Sequence, residues 1–151
     1  MMMREEPEKA EQWPLVSLYL RFYSEESDPG EHFDPEEITR RLGIEPTTQF
    51  RLGDPITADG EGKRRRSGWI LNIARQETLQ IDGMLQEMRN RLSSAKDVIP
   101  QICKDLRVRA VILCGVSRNE SDHMPALDFP PSFTRWVASL GASIYVDIYC
   151  E

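Results

Sequence analysis

The stretch Leu15-Val16-Ser17-Leu18-Tyr19-Leu20-Arg21-Phe22-Tyr23 constrains the fold more than any other, because its side chains alternate in character almost without a break. Val16, Leu18, Leu20 and Phe22 fall on one face, and Ser17, Tyr19, Arg21 and Tyr23 on the other. Side chains that change sides at every residue belong to a β-strand, here one with one face in a core and the other at least partly wet. The pattern predicts an α+β fold: an antiparallel or mixed sheet of about five to six strands, an ordinary sheet size, with helices mainly on one face.

Other segments extend that expectation. Trp69, Leu71 and Ile73 share one face of a second strand over residues 67–74, and an indole buried there would anchor its part of the core. Residues 109–117 are apolar on both faces, as a central strand requires. In 143–149, Ile144, Val146 and Ile148 are expected inward, and Tyr145, Asp147 and Tyr149 outward. Asp34-Pro35-Glu36-Glu37 opens a short helix with a capping acid, a proline at the first position and further acids; Arg40, Arg41 and Gly43 close it. Helical spacing recurs at Ile81, Met84, Leu85, Met88 and Leu92, at Val98, Ile99, Ile102, Cys103 and Leu106, and over residues 131–140. Between 44 and 63, Pro46, Gly53, Pro55, Gly60 and Gly62 allow only a short extended piece near Thr48 to Leu52. Residues 1–12 read as a flexible acidic tail and 13–151 as a single domain.

The two ends of the chain echo each other. Tyr23-Ser24, Ser27-Asp28, Phe33-Asp34-Pro35 and Leu42-Gly43 correspond to Val116-Ser117, Ser121-Asp122, Phe129-Pro130-Pro131 and Leu140-Gly141. The echo raises the option of two related, ferredoxin-like halves on one sheet.

The segments Asp34-Pro35-Glu36-Glu37-Ile38, Leu42-Gly43-Ile44-Glu45-Pro46-Thr47, Gly53-Asp54-Pro55, Ser67-Gly68-Trp69, Leu140-Gly141-Ala142 and Asp147-Ile148-Tyr149 carry a resemblance in their order and spacing. Over about residues 15 to 150 the chain resembles the bacterial family catalogued as domain of unknown function 4279. The resemblance implies a small α+β bacterial protein and brings no established activity and no catalytic residues.

Charge and cysteine content narrow the function classes. With 19 basic and 25 acidic residues the net charge is -6, which repels nucleic-acid phosphates and anionic membranes on average. Cys103, Cys114 and Cys150 show no ligand spacing and read as reduced thiols of a cytoplasmic protein. No secretory signal or membrane-length apolar run is visible, and no metal or cofactor is expected.

The candidate sites are surface features. Lys63-Arg64-Arg65-Arg66 beside Trp69 is chemically suited to phosphate or carboxylate, since guanidinium groups give paired, charge-assisted hydrogen bonds and an aromatic can stack; the favoured reading is a solvated loop entering a strand whose tryptophan is core, because four cations do not outweigh the chain's negative field. His32 and His123 lie near Asp28, Asp34 and Asp122, where a carboxylate can orient an imidazole, but a third zinc ligand is missing. Tyr19, Arg21 and Tyr23 join Tyr145, Asp147 and Tyr149 if the outer strand faces are open, and tyrosine and arginine dominate binding hot spots. Three classes follow. The first is a non-enzymatic cytoplasmic protein-binding domain, such as a bacterial toxin-neutralising immunity protein, monomeric or homodimeric. The others are a ligand-binding domain or enzyme using the 44–66 loop with the His32 and His123 loops, and a nucleic-acid binder using Arg64 to Arg66.

Overall fold

Leu15–Tyr23 forms β1, the middle strand of a five-stranded sheet in the computed structural model, which describes residues 12–24, 33–118 and 120–149. The acidic tail, the loop holding Asp28 and His32, and Cys150 lie outside the described residues. The remaining strands are β2 (Thr48–Phe50), β3 (Gly68–Glu77), β4 (Arg109–Ser117) and β5 (Ser143–Tyr149), in the order β2-β3-β1-β4-β5. β1 is antiparallel to both β3 and β4, whereas β4 and β5 run parallel, so the sheet is mixed. A parallel pair needs a crossover, here α4 (Pro131–Ser139). The other helices are α1 (Pro35–Leu42), α2 (Asp82–Arg91) and α3 (Val98–Leu106), with a 3₁₀ turn at Ser93–Ala95 between the last two.

The alternation of β1 decides where the core lies. Val16, Leu18, Leu20 and Phe22 are fully buried, in one apolar cluster with Ile112, Cys114 and Val116 of β4. Ile38, Met84, Met88, Ile99, Ile102 and Phe133 bring all four helices into that cluster. Val111, on the opposite face of β4, is also buried but lies outside it. The helices of the described residues therefore cover one face. A bulge against β3 pairs Leu18 with Ala74 and Tyr19 with Asn72. The extra residue, Ile73, is buried beside Ala74, and Arg75 and Glu77 turn to the face of Ser17.

Local chemistry fixes α1. The Asp34 carboxylate accepts from the Glu36 N–H at 3.0 Å, and Gly43 ends the helix at φ 69°, a left-handed conformation in which glycine carries no Cβ penalty. The echoed halves both contribute to the one sheet. The second closes as β4-α4-β5 with adjacent strands, the first as β1-α1-β2 with β3 inserted between its strands.

Of the two readings of Trp69, the core one holds: the indole does not accompany the basic run but is fully buried on the helix-bearing face, edge-on to Phe22, and its Nε1–H donates to Thr39 Oγ1 at 3.0 Å. The inward set of β5 needs correction. Only Ile144 of β5 packs against the core; Val146 and Ile148 are 37% and 49% exposed, as their strand ends the sheet and pairs with β4 alone among the described residues.

Candidate functional site

The helix-free face of the sheet collects most of the residues singled out above. The strand registers place Ser17 in a row with Gly115 and Asp147, Tyr19 with Asn72, Leu113 and Tyr145, and Arg21 with Ile70, Val111 and Ser143, while Tyr149 lies on the same face in the row of Leu15 and Ser117. Tyr19, Arg21 and Tyr23 are half-buried; Tyr145, Asp147 and Tyr149 are exposed. Gly115 sits beneath two of the rings, since a methyl group there would lie 3.9 Å from Tyr19 and 4.0 Å from Tyr149.

At the other end of this face the basic run arrives. The segment after β2 doubles back on itself: Gly53 N–H donates to the Arg64 carbonyl at 2.9 Å and Arg64 N–H to that of Asp54 at 2.8 Å. Leu52 N–H donates to the Ser67 hydroxyl, and Pro55 bridges Lys63. Successive side chains of the run consequently alternate. Arg64 lies over the Phe50 ring at 4.1 Å and Arg66 over Tyr23 at 5.3 Å, while Arg65 is exposed to solvent. Arg21 lies 5.5 Å from the same Tyr23 ring. Guanidinium groups are drawn to the negative face of an aromatic ring, and stacking holds the planar donor fork in a fixed orientation. The Nε atoms of Arg21 and Arg64 are buried without a hydrogen-bond partner. This corner is thus a cationic, ring-supported surface suited to carboxylate or phosphate.

Phe50 is the member that the sequence did not reveal. Its ring occupies the space above Gly68, where a methyl group would come within 2.4 Å of it. The available signal was an aromatic in a short extended piece opposite a strand glycine, a known way of covering the gap that a glycine leaves in a sheet.

The remaining candidates do not converge. His123 is exposed and its ring lies 5.7 Å from that of Trp13; His32 is outside the described residues. A separate cleft of about 470 Å³ is lined by Asp34, Glu36, Glu37, Thr39, Arg40, Glu45 and Gln49. Several of its carboxylates are already engaged. Glu37 is hydrogen-bonded by Arg40 and Arg41, which hold its carboxyl below the usual range. Asp34 pairs with Arg51 at 2.8 Å, and Arg41 also reaches Asp105 at 2.7 Å. No group of three His, Cys, Asp or Glu suited to a metal occurs among the described residues, and none of their helices is long and apolar enough to cross a membrane.

The thiols lie away from the open face. Cys114 is fully buried, and burial pushes its thiol up to about 11; Cys103 is half-buried and raised for the same reason. A pH prediction follows for Cys114. Taking 9.0 as its ordinary value, the thiol is neutral in both states below that pH and the native state keeps its full stability. Above it the unfolded chain ionises first, so stability falls as pH rises from 9.0 to about 11, by up to about 3 kcal/mol. Urea unfolding across this range is expected to show a steeper decline for the wild type than for Cys114→Ala; equal slopes would contradict it.

Fold and surface together define a helix-backed α+β sheet domain with an aromatic and cationic open face. The chain belongs to the family described as domain of unknown function DUF4279, which matches residues 14–151. No curated protein and no solved structure gives a significant match.

Proposed function

We propose that this chain is a non-enzymatic, cytoplasmic protein-binding domain of bacteria, and that the helix-free sheet face is its docking surface. The observation that carries this reading is the placement of Tyr19, Tyr145 and Tyr149 together with Arg21, Arg64 and Arg66 on one face that no helix of the described residues covers. Tyrosine and arginine give large rigid contact area and directional donors, and they lead the residues that dominate binding energy. The most concrete form is an immunity protein that neutralises a toxin. Small size supports that form, and the guanidinium groups on the docking face fit an acidic patch on the toxin.

Affinity purification of the tagged protein from its host, followed by mass spectrometry, tests the reading. One protein retained in stoichiometric amount is the expected result. Loss of every specific partner, while control baits capture theirs, would overturn it and redirect attention to small ligands of the acid-lined cleft.

Nucleic-acid binding is the second reading, favoured by the guanidinium groups seated on Phe50 and Tyr23. It requires an affinity that falls steeply with salt. Binding unchanged when Arg64, Arg65 and Arg66 are all replaced by alanine would eliminate it.

A further inference from the structure

The outer edge of β5 presents a second surface, bordering the open face. β5 pairs with β4 alone, so one side of its backbone has no strand beside it among the described residues. Four of the seven exposed large hydrophobic side chains among those residues, Tyr145, Val146, Ile148 and Tyr149, belong to this strand and project from both of its faces. Edge strands are ordinarily blunted by proline, lysine, a bulge or a covering element. Ser143–Tyr149 contains no proline or lysine, and its register with β4 is unbroken; Asp147 is its one charge.

We propose that β5 pairs antiparallel with β5 of a second copy of this chain, about a two-fold axis through Val146. The strand is self-complementary in that register. Ile144 faces Ile148 and Val146 faces itself, all on the helix-bearing side; Tyr145 faces Asp147 and Ser143 faces Tyr149 on the open side. Neighbouring registers are worse. Centring on Asp147 sets two like charges directly opposite each other, which destabilises a cross-strand pair. A one-residue slip sets Val146 against Asp147 and exchanges the faces. Centring on Tyr145 carries Ile148 and Tyr149 past the end of the strand, against Ala142 and Gly141. The helix-side set Ile144-Val146-Ile148 is symmetric about Val146, so a second copy meets it with its own apolar residues while the unlike pairs Tyr145–Asp147 and Ser143–Tyr149 keep the one charge of each strand away from that of its partner.

The axis stands perpendicular to the sheet, as in any isologous antiparallel edge pair. Two five-stranded sheets then join into one, with the helices of both copies on one side. Tyr145 and Tyr149 of each copy come to the middle of a shared open face. The pairing uses the backbone edge of β5, and Tyr145 and Tyr149 belong both to it and to the face assigned to a protein partner above, so that face is extended across the two copies.

Light scattering during size exclusion of the full chain is expected to give twice 17.4 kDa, dissociating on dilution. Val146→Lys sets two ammonium groups opposite each other and is expected to weaken the dimer by about tenfold or more, with circular dichroism unchanged because Val146 is partly exposed. Val146→Cys in a Cys150→Ser background is expected to form an interchain disulfide under mild oxidation, since directly opposed side chains lie within reach of one, whereas Tyr145→Cys in that background is not. A single-chain mass at every concentration, a dimer unaffected by Val146→Lys, or cross-linking at 145 and not at 146 would overturn the proposal.

Discussion

Replacing Trp69 with alanine is expected to remove about 3–5 kcal/mol of stability, the range for deleting a large aromatic from a packed core. The indole is fully buried, edge-on to Phe22 with ring centroids 5.5 Å apart, and its N–H reaches Thr39 Oγ1 of α1 at 3.0 Å. It therefore ties α1 to β3 and β1, and a close-packed core relaxes only partly into the cavity that its removal leaves. The hydrogen bond is separable from the packing. Thr39→Val leaves the buried Nε1–H without an acceptor and is expected to cost about 1–3 kcal/mol. Urea unfolding of both variants measures the two terms. A loss below about 1 kcal/mol for Trp69→Ala, against the usual range for such truncations, would mean that the indole is not the wedge described.

The second large effect concerns recognition. Tyr19 and Tyr149 flank Gly115 on the open face, and Arg64 is seated on Phe50. Truncating a hot-spot residue costs about 2 kcal/mol or more, roughly thirtyfold in affinity. Tyr19→Ala, Tyr149→Ala and Arg64→Ala are each expected to weaken capture of the protein partner by about that factor, mostly through faster dissociation. Arg65, exposed in the same run, supplies the control: Arg65→Ala is expected to change affinity by less than about threefold, as a rim charge does. Surface plasmon resonance with the captured partner distinguishes them. Equal, small effects at all four positions would remove the open face from the binding account.

Much of the fold was legible because strand and helix periods are strong signals. The alternation of β1 gave its buried face residue by residue, and Asp34, Pro35 and Gly43 marked the ends of α1 through capping chemistry that acts within one turn. The apolar positions of α2 and α3 also lie where their spacing placed them. Less legible was what depends on the neighbour of each strand. Alternation in β5 indicated an inward set, yet which strand ends the sheet is decided by pairing across the whole chain, and an edge position leaves Val146 and Ile148 exposed. Trp69 was legible as a core residue from its alternation with Leu71, and what fails is the alternative that set it beside the basic run: the pleat sends Trp69 to the core while a ring contact holds Arg66 on Tyr23 across the sheet. The aromatic support of the basic run comes instead from Phe50 and Tyr23, which are distant in sequence and meet only through the rows that Gly68 shares with each.

The central position of β1 also dictates the order in which a growing chain can acquire its sheet. Tyr23 aligns with Arg109 and Leu15 with Ser117, so one flank of the first strand to be synthesised stays vacant until most of the polypeptide exists. Closing such long loops is entropically costly and slows folding. The antiparallel unit of β1 and β3 is the earliest part of the sheet that a ribosome-bound chain can assemble. Until β4 emerges, that unit carries an unfilled strand edge beside Leu18, Leu20 and Phe22, the kind of unpaired edge and apolar surface that makes incomplete chains prone to aggregate.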